Sequence, residues 1–456
     1  MENQDKVPLF KRTTFVGEWR VDIASDSVWR VKNGDELLYD ENGKPWIPGT
    51  TIAGALRKAA STMEFAETKA VGEMFGYLSL DGTNRDVQSS LYVYDAEVNE
   101  SLSTISEEIR PSVSLNPVTG NAANRKRFER EYMSPGIVLT FGLRLFARDE
   151  EDYERKRSLV ANLLAALHHG TVRFGGDLSN GAGRFHIRKI HHMEYDLRSK
   201  ADLLSYASSL QIGGTHEITE QIIGNGHTHA FYKVQLDVHI PAVLIGAQDN
   251  SSNKTDTANM RTDHGQTSII PGSSLKGLLR HQATRIAFAR CSNEATAEQL
   301  VDFLFGADNS TTGERPVAGH VFIGDVRIRN EASTVITGIR MNKLTSTGMK
   351  GGMFTSERIA GEGTIEIILR PARTSISPFL EHAAMTLLLF AIRDLAFGHV
   401  NIGGGGARGF GRLSAQQLTM THREHAVVVT HDGKVTGSKA FLLDNLLHAW
   451  REVTKL

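Results

Sequence analysis

The chain is nearly devoid of cysteine and of net charge. Cys291 is its single cysteine in 456 residues, which excludes a disulfide framework and a cysteine-based zinc site. Lys+Arg number 51 against Asp+Glu 52, a formal charge of −1. Bulk charge therefore announces no polyanion partner, and any basic surface has to be local. Long apolar runs are missing as well. The longest, Met385–Ile392, has a threonine inside it and falls far short of the ~20 residues that span a bilayer. The opening MENQDKVPLFKRTTF contains no apolar signal core, so a cytoplasmic location with no membrane partner is expected. The length suggests two domains of roughly 230 residues each.

What the chain does have is glycine, 43 in all, and repetition. IPGTTIAGALRKAA at Ile47 returns as IPGSSLKGLLRHQA at Ile270, an offset of 223. EMFG ending at Gly76 returns as FLFG ending at Gly306, and Asp95 in LYVYDAEV returns as Asp325 in VFIGDVRI, both at 230. VRFGGDLSNGAGRFHI from Val172 returns as VNIGGGGARGFGRLSA from Val400, at 228. Four colinear repeats at nearly one offset identify a duplicated unit. The expected organisation is a first domain over 1–198, a connector over 199–230, a second domain over 231–420, and a C-terminal hairpin and helix over 421–456 with no counterpart in the first half.

Each copy opens on a β-like run, Phe15–Ile23 and Tyr232–Ile240, and a helix follows each Pro-Gly. Thr50 or Thr51, and Ser273 or Ser274, are the expected N-caps. Ile52, Leu56 and Met63 form one helix face; Leu275, Leu278, Leu279, Ile286 and Ala289 form the other. A strand follows at Leu91–Val98 and His320–Ile328. A second helix follows at Tyr153–His168 and Pro378–Ala396, and a last strand comes after the glycine loop. The order β-α-β-β-α-β predicts an α+β chain of two tandem ferredoxin-like, RRM-like domains, a plan that does not by itself give function.

Two features per copy suggest chemistry. The glycine loop 403–412 lets a backbone approach closely or take positive φ. It is either a structural loop packed on the first helix or a phosphate cradle with charge from Arg408 and Arg412; Arg184 recurs at the matching place. Long loops lie between the Asp95 and Asp325 strands and the second helices. In them Asn116/Asn342, Thr119/Thr345, Phe128/Phe354 and Glu131/Glu357 match at an offset of 226. Arg125, Lys126, Arg127 and Arg130, or Lys343 and Lys350, make them basic, with apolar Leu115, Met349 and Met353. Such a loop is a binding element whose apolar tips suit wedging between nucleotides.

IPGSSLKGLLR, LFG, the T-x8-F-x-x-E loop and GGGGARGFGR together resemble the RAMP proteins of type III CRISPR interference complexes. The likeness is to the backbone subunit that polymerises along the guide RNA. Two such units in one chain resemble the fused double-backbone subunits of the type III-D branch. The resemblance implies a ferredoxin-like palm gripping a guide RNA and thumb β-hairpins inserted across the guide–target duplex. It also implies an aspartate, in the loop before the Pro-Gly helix, that cleaves complementary target RNA once per domain, beside other type III effector subunits. It places the grip on Ser273, Ser274, Lys276, Arg280, Arg57, Gly404, Gly405 and the basic residues above.

The catalytic aspartates implied are Asp256, 15 residues before Pro271, and Asp35, 13 before Pro48. Asp40 and Asp263, each eight residues before its proline, are the alternatives, read as turn residues. A lone carboxylate would hold Mg²⁺ or Mn²⁺ beside the scissile phosphate or take the 2′-hydroxyl proton. The first copy departs from the pattern at Ala53, where the second has Lys276, and at Asp177-Leu178 inside its glycine run. A guide-binding scaffold without catalysis, or a guide-precursor processing endoribonuclease, are the competing readings. The histidines, with no HExxH and no cysteine pair, read as surface or RNA-contacting groups.

Overall fold

The structure is a computed structural model that describes residues 13–34, 36–61, 68–77, 86–115, 122–209, 212–214, 216–224, 232–247, 257–263, 265–307, 317–370, 377–422, 425–430, 434–437 and 441–454. It divides into two compact units. One comprises Met1–Arg110, Arg130–Leu178 and Ala182–His229; the other comprises Pro111–Glu129, Ser179–Gly181 and Ala230–Leu456.

The first repeat runs β1 (Phe15–Ser25), the short pair β2 (Lys32–Asn33) and β3 (Glu36–Leu37), α1 (Gly49–Ala60), α2 (Thr68–Phe75), β4 (Leu91–Val93) and β5 (Glu97–Val98). It continues with β6 (Glu107–Leu115), β7 (Ala122–Met133), β8 (Val138–Ala147), α3 (Glu150–His168) and β9 (Phe185–Asp196). The sheet order is β9-β1-β8-β4, antiparallel, which is the ferredoxin-like plan. Alternation builds it: Trp19, Val21 and Ile23 on β1 and Leu139, Phe141, Leu143 and Leu145 on β8 face one core. Ile52 and Leu56 of α1 and Leu163, Leu164 and Leu167 of α3 close that core. β6 and β7 pair with each other and form an arm, and Met133 at the end of β7 bridges Trp29.

The 199–230 stretch adds α4 (Lys200–Ser208), β10 (His216–Glu217) and α5 (Thr219–Gly224). β10 extends the sheet beyond β9, and Ile222 of α5 joins the core.

The second repeat follows the same plan: β11 (Tyr232–Val243), α6 (Gly272–Arg290), α7 (Glu294–Phe305), β12 (Val321–Ile323), β13 (Arg329–Met341), β14 (Gly348–Leu369), α8 (Pro378–Ala396) and β15 (Ser414–His422). Its order is β15-β11-β14-β12, with β13 paired to β14 as the arm. The tail forms β16 (His425–Thr430), β17 (Val435–Gly437) and α9 (Phe441–Thr454). β16 extends the sheet beyond β15, and α9 packs on α8: Thr386 Oγ1 donates to Leu446 O at 2.7 Å, and Phe390 meets Trp450 at 5.7 Å. The tail thus occupies the place that β10 and α5 occupy in the first domain, although no sequence likeness connects them. Among the described residues no helix is long and apolar enough to cross a membrane.

Three expectations are corrected. The helix caps are Pro48 and Pro271, with no side-chain cap bond. Thr50, Thr51, Ser273 and Ser274 lie inside the first turn, where their backbone already has helical geometry. Ala289 is exposed, while Leu275 and Leu279 are buried with Gln282, Ala283 and Ala287, and Leu278 and Ile286 pack half-buried on the same core; Met63 lies outside the described residues. The second long loop is mostly strand, since β13 and β14 pair from Arg329–Glu362 to Met341–Gly348. Both of its faces are exposed, so no polar/apolar alternation marks it in the sequence.

The repeated aspartates explain the Pro-Gly starts. Asp95 Oδ1 accepts from the Gly49 N–H at 2.6 Å, and Asp325 Oδ1 accepts from the Gly272 N–H at 2.9 Å. Each carboxylate meets an N–H that the helix itself leaves unpaired. Each also breaks its strand, which is why 91–98 and 320–328 come as two short pieces. A Cβ at Gly49 would run into the Val93 carbonyl oxygen, and one at Gly272 into that of Ile323; glycine is what lets the helix start sit against the strand. Asp325→Ala is expected to cost about 1–2 kcal/mol in chemical denaturation. Asp325→Asn, which keeps an acceptor oxygen, is expected to lose clearly less.

Candidate functional site

Asp256 and Asp35 both lie outside the described residues, so the site is built from what surrounds their chain neighbours. In the second domain the first strand and the following segment close through the Met260 N–H to Ile245 O at 3.0 Å. In the first domain the Leu38 N–H to Val31 O, 2.9 Å, makes the same closure. Between these anchors the second domain has the fourteen residues 246–259 and the first has the six residues 32–37.

Thr257, next in sequence to Asp256, is held at the base of the arm. Its carbonyl accepts from the Glu357 N–H at 3.0 Å and it bridges Ser356. Glu357 fixes the rest of the segment: its carboxylate meets Arg261 at 3.0 Å, the Ser333 hydroxyl at 2.8 Å and the Asn259 N–H at 3.2 Å. Together these contacts hold its carboxyl below the usual range, against the opposing effect of burial. In the first domain Tyr39 donates to Glu107 at 2.5 Å at the corresponding base of its arm.

Arginines and aromatics stack beside Thr257. Phe354 lies opposite Gly338 in the arm. Arg408 of the glycine loop sits 5.5 Å from the Phe354 ring and 5.8 Å from Phe410, while Arg358 lies 3.3 Å over Phe410. The Arg358 Nε is buried with no hydrogen-bond partner among the described residues, so the ring face takes that place. The first domain does the same work with charge. Asp177 accepts from Arg30 at 3.1 Å, Arg130 at 3.0 Å and the Tyr132 hydroxyl at 2.9 Å. Arg30 also lies 5.1 Å from the Tyr132 ring. Asp177 has φ 55° and Gly405, its match, φ 78°, so the apparent interruption keeps the loop's left-handed turn and adds a clamp.

The glycine loops bond to the residues at and just past the end of the first strand. Gly176 N–H donates to Arg30 O at 2.9 Å and Gly183 N–H to Val28 O at 2.8 Å. In the second domain Gly404 N–H donates to Leu244 O at 2.7 Å and Gly411 N–H to Ala242 O at 2.8 Å. The Gly404 N–H is therefore already engaged, and what this loop offers outward is the exposed Arg408 and Arg412. The stems of Arg184 and Arg412 cross Gly170 and Gly398 at the ends of α3 and α8.

On α6, Ser273 and Arg280 are exposed and Ser274 and Lys276 half-buried; Arg57 is exposed one repeat earlier. Burial, and then the charge of Arg280, pull Lys276 down to about 8. The arm of the second domain carries Val335, Ile339, Met341, Leu344, Met349 and Met353 exposed, with Leu344 95% and Met353 69% accessible. Thirteen residues of β13 make it roughly 40 Å long. Lys343 and Lys350 are exposed on it. Arg125, Lys126 and Arg127 are in β7 and Leu115 ends β6, but these side chains lie outside the described set.

Asp40 and Asp263 are engaged in turns. Asp40 Oδ1 accepts from the Asn42 and Lys44 N–H groups, both at 2.8 Å, and these bonds lower its pKa. Asp263 takes φ 54° and pairs with Arg327 at 3.0 Å. Sequence reasoning missed the Asp177 clamp and the Arg358–Phe410 stack. The signal available was that Asp177 and Tyr132 stand at the repeat positions of Gly405 and Arg358.

The sequence profile of the RAMP superfamily matches residues 27–186 and 213–414, one stretch in each repeat. Comparison with curated proteins returns no match.

The clamp is testable apart from any activity. Arg30 and Asp177 side chains are 7% and 18% exposed. Asp177→Gly relieves the left-handed backbone but leaves Arg30 uncompensated, so it is expected to destabilise by about 2–4 kcal/mol. A variant as stable as the parent in urea would make Asp177 only a turn residue.

Proposed function

Because the chain belongs to the RAMP superfamily, which includes RNA-cleaving members, we propose that it is a CRISPR-associated backbone subunit. It would bind a guide RNA within a type III effector complex in the cytoplasm, in the two-repeat form that resembles type III-D, and cleave complementary target RNA. One observation carries this: in the second domain the exposed apolar arm, the arginine–aromatic stack and the anchored end of the Asp256 loop meet at Thr257, Phe354 and Arg358. An arm with apolar tips separates bases, rings and guanidinium planes receive them, and a carboxylate on the adjoining loop reaches the splayed phosphate.

Lys276, Arg280, Arg408 and Arg412, with Arg57 and Arg184 in the first domain, neutralise phosphates. Ser273, Ser274, Gly405 and the arm residues Arg125, Lys126, Arg127, Lys343 and Lys350 complete the RNA contacts in this reading. Among the described residues no group of three His, Cys, Asp or Glu could hold a metal ion. In this reading Asp256 or Asp35 would offer a divalent cation one carboxylate beside RNA oxygens, an oxygen donor set that fits Mg²⁺ or Mn²⁺. When bound, it supplies charge neutralisation at the scissile phosphate. The protein's own part is to hold the splayed nucleotide near in-line geometry and present the carboxylate.

The domains differ in equipment. Fourteen residues against six, and Lys276 against Ala53, favour the second domain as the stronger cutter and the first as mainly a scaffold.

Asp256→Ala is expected to remove one band from a labelled-target cleavage ladder, by roughly 10²- to 10⁴-fold, with guide and target binding intact. Asp35→Ala removes a weaker neighbouring band. Persistence of both bands in the double variant would refute the assignment.

Lys276 gives a pH signature. Its ammonium, with pKa about 8, is charged at pH 7 and neutral at pH 9, so guide affinity is expected to fall roughly tenfold across that interval. Lys276→Ala binds more weakly at pH 7, and its pH dependence flattens. An unchanged pH profile would place this lysine off the RNA.

A further inference from the structure

The C-terminal extension of the second domain walls in a cavity that plays no part in the reading above. It has a volume of about 200 Å³ and lies between α8, α9 and the strands β15, β16 and β17. Leu389 and Phe397 of α8, Leu418 of β15, Val429 of β16, and Leu443 and Leu447 of α9 line it, and each is only half-buried. Apolar side chains converge there from three directions without completing a core. An irregularity of the sheet lies at the same place. Leu236 of β11 stands opposite Leu418, but Val238 stands opposite Ala415, so β15 carries one extra residue between these pairs. Such a bulge bends a strand and re-aims its side chains. Gln416 and Gln417, the residues inside it, both line the cavity and both are exposed.

The walls dictate the chemistry of what fits. Of the described lining residues, Thr386 alone carries a hydroxyl. That hydroxyl is engaged, 2.7 Å from Leu446 O and 3.0 Å from His382 O. A polar group carried inside would lose its water without gaining a partner, so the body of a ligand has to be apolar. A dry apolar cavity of about 150 Å³ holds a benzene ring, and by that measure this one holds about seven or eight carbons. At the rim stands the exposed Arg393. Its Nε and Nη2 donate to Asp394 Oδ1 at 3.1 and 2.8 Å, and its guanidinium lies 5.3 Å from the Phe390 ring. Asp394 is held in turn by Gln282, whose amide donates to Oδ2 at 2.6 Å. The guanidinium is thus fixed in place, and its Nη1 has no hydrogen-bond partner among the described residues. A fixed guanidinium with a donor to spare is a carboxylate receptor.

We infer that this cavity binds a medium-chain monocarboxylate, with the alkyl chain between α8, α9 and the sheet and the carboxylate at Arg393 Nη1. A protein partner fits less well, because a specific interface takes about 20–30 residues a side. The lining here closes from three sides into a pit of small-molecule size. α9, β16 and β17 all belong to the tail, which has no counterpart in the sequence of the first repeat, so the site belongs to the second domain alone. The inference is independent of the RNA reading.

The test is calorimetric titration of the full chain, free of RNA, with the saturated carboxylates from butanoate to dodecanoate. Octanoate is expected to bind saturably at one site per chain. Each methylene removed weakens binding about fourfold, so hexanoate binds roughly fifteenfold more weakly. The gain levels off beyond about nonanoate, whose chain fills the cavity. Leu447→Trp, which puts an indole into the space, is expected to weaken octanoate at least tenfold with the thermal midpoint unchanged or raised. Val429→Phe fills the cavity from the sheet side and is expected to do the same, so a poorly folded Leu447→Trp does not decide the matter. Arg393→Gln weakens octanoate about tenfold and leaves 1-octanol unchanged. Absence of saturable octanoate binding overturns the site. So does wild-type affinity in a folded cavity-filling variant, or affinity that keeps climbing through dodecanoate. Wild-type octanoate affinity in Arg393→Gln overturns the carboxylate assignment.

Discussion

The hydrogen bond from an aspartate to the first N–H of the Pro-Gly helix is the constraint on which the rest of each domain depends. It joins residues 46 apart in the first domain and 53 apart in the second. Taken alone it is worth about a kilocalorie per mole. Its larger effect is geometric. It pins the start of the helix to a strand so closely that only glycine fits at the contact, and a helix pinned at its first residue cannot slide or turn. The side chains one and two turns on, Lys276 and Arg280 in the second domain and Arg57 in the first, then have fixed positions relative to the sheet. In the proposed function, a phosphate-binding surface built from a handful of cations on a chain of nearly zero net charge would need that fixity, because there is no diffuse field to compensate for misplacement.

The same logic governs the base of each arm. A β-hairpin with both faces exposed has no core of its own, and its orientation is set where it leaves the sheet. Both domains tie that point to the glycine loop with different chemistry. In the first, one carboxylate gathers Arg30, Arg130 and Tyr132. In the second, where Gly405 replaces that carboxylate, Arg358 and Arg408 stack on Phe410 and Phe354. The cation–π version leaves the Arg408 side chain exposed beside half-buried rings. The ionic version uses its charges internally. The clamp is common to both copies and its surface is not.

The duplication and the order of elements were legible in the sequence because each repeat keeps its strand alternation, as at Trp19, Val21 and Ile23, and its turn glycines. The caps were not, because Thr50 and Ser273 have the composition of a cap and sit two residues too late. The kinks at Asp95 and Asp325 were not, because the partner that bends each strand lies far along the chain. The arm at 329–369 was legible only through the family resemblance, which implies a hairpin there, because a strand exposed on both faces has no period to read. The same limit applies to the site. Basic residues and glycines could be named by position, but the Asp177 clamp joins residues 45 to 147 apart. No local pattern records such pairs.

Duplication with this division between frame and surface has a consequence for chemistry. The bonds common to both domains are backbone closures and caps: Gly176 to Arg30 and Gly404 to Leu244, Gly183 to Val28 and Gly411 to Ala242, Asp95 to Gly49 and Asp325 to Gly272. None of them requires a particular side chain on the loop that follows the first strand, at the first helix's second turn, or at the end of the second helix. Those are the places where the copies differ: six residues against fourteen, Ala53 against Lys276, His168-His169 against Ala396-Phe397. A frame closed by backbone and cap bonds tolerates change at its loops and helix ends. In the proposed function, each half of the chain would then meet RNA with the same frame while presenting different side chains to it.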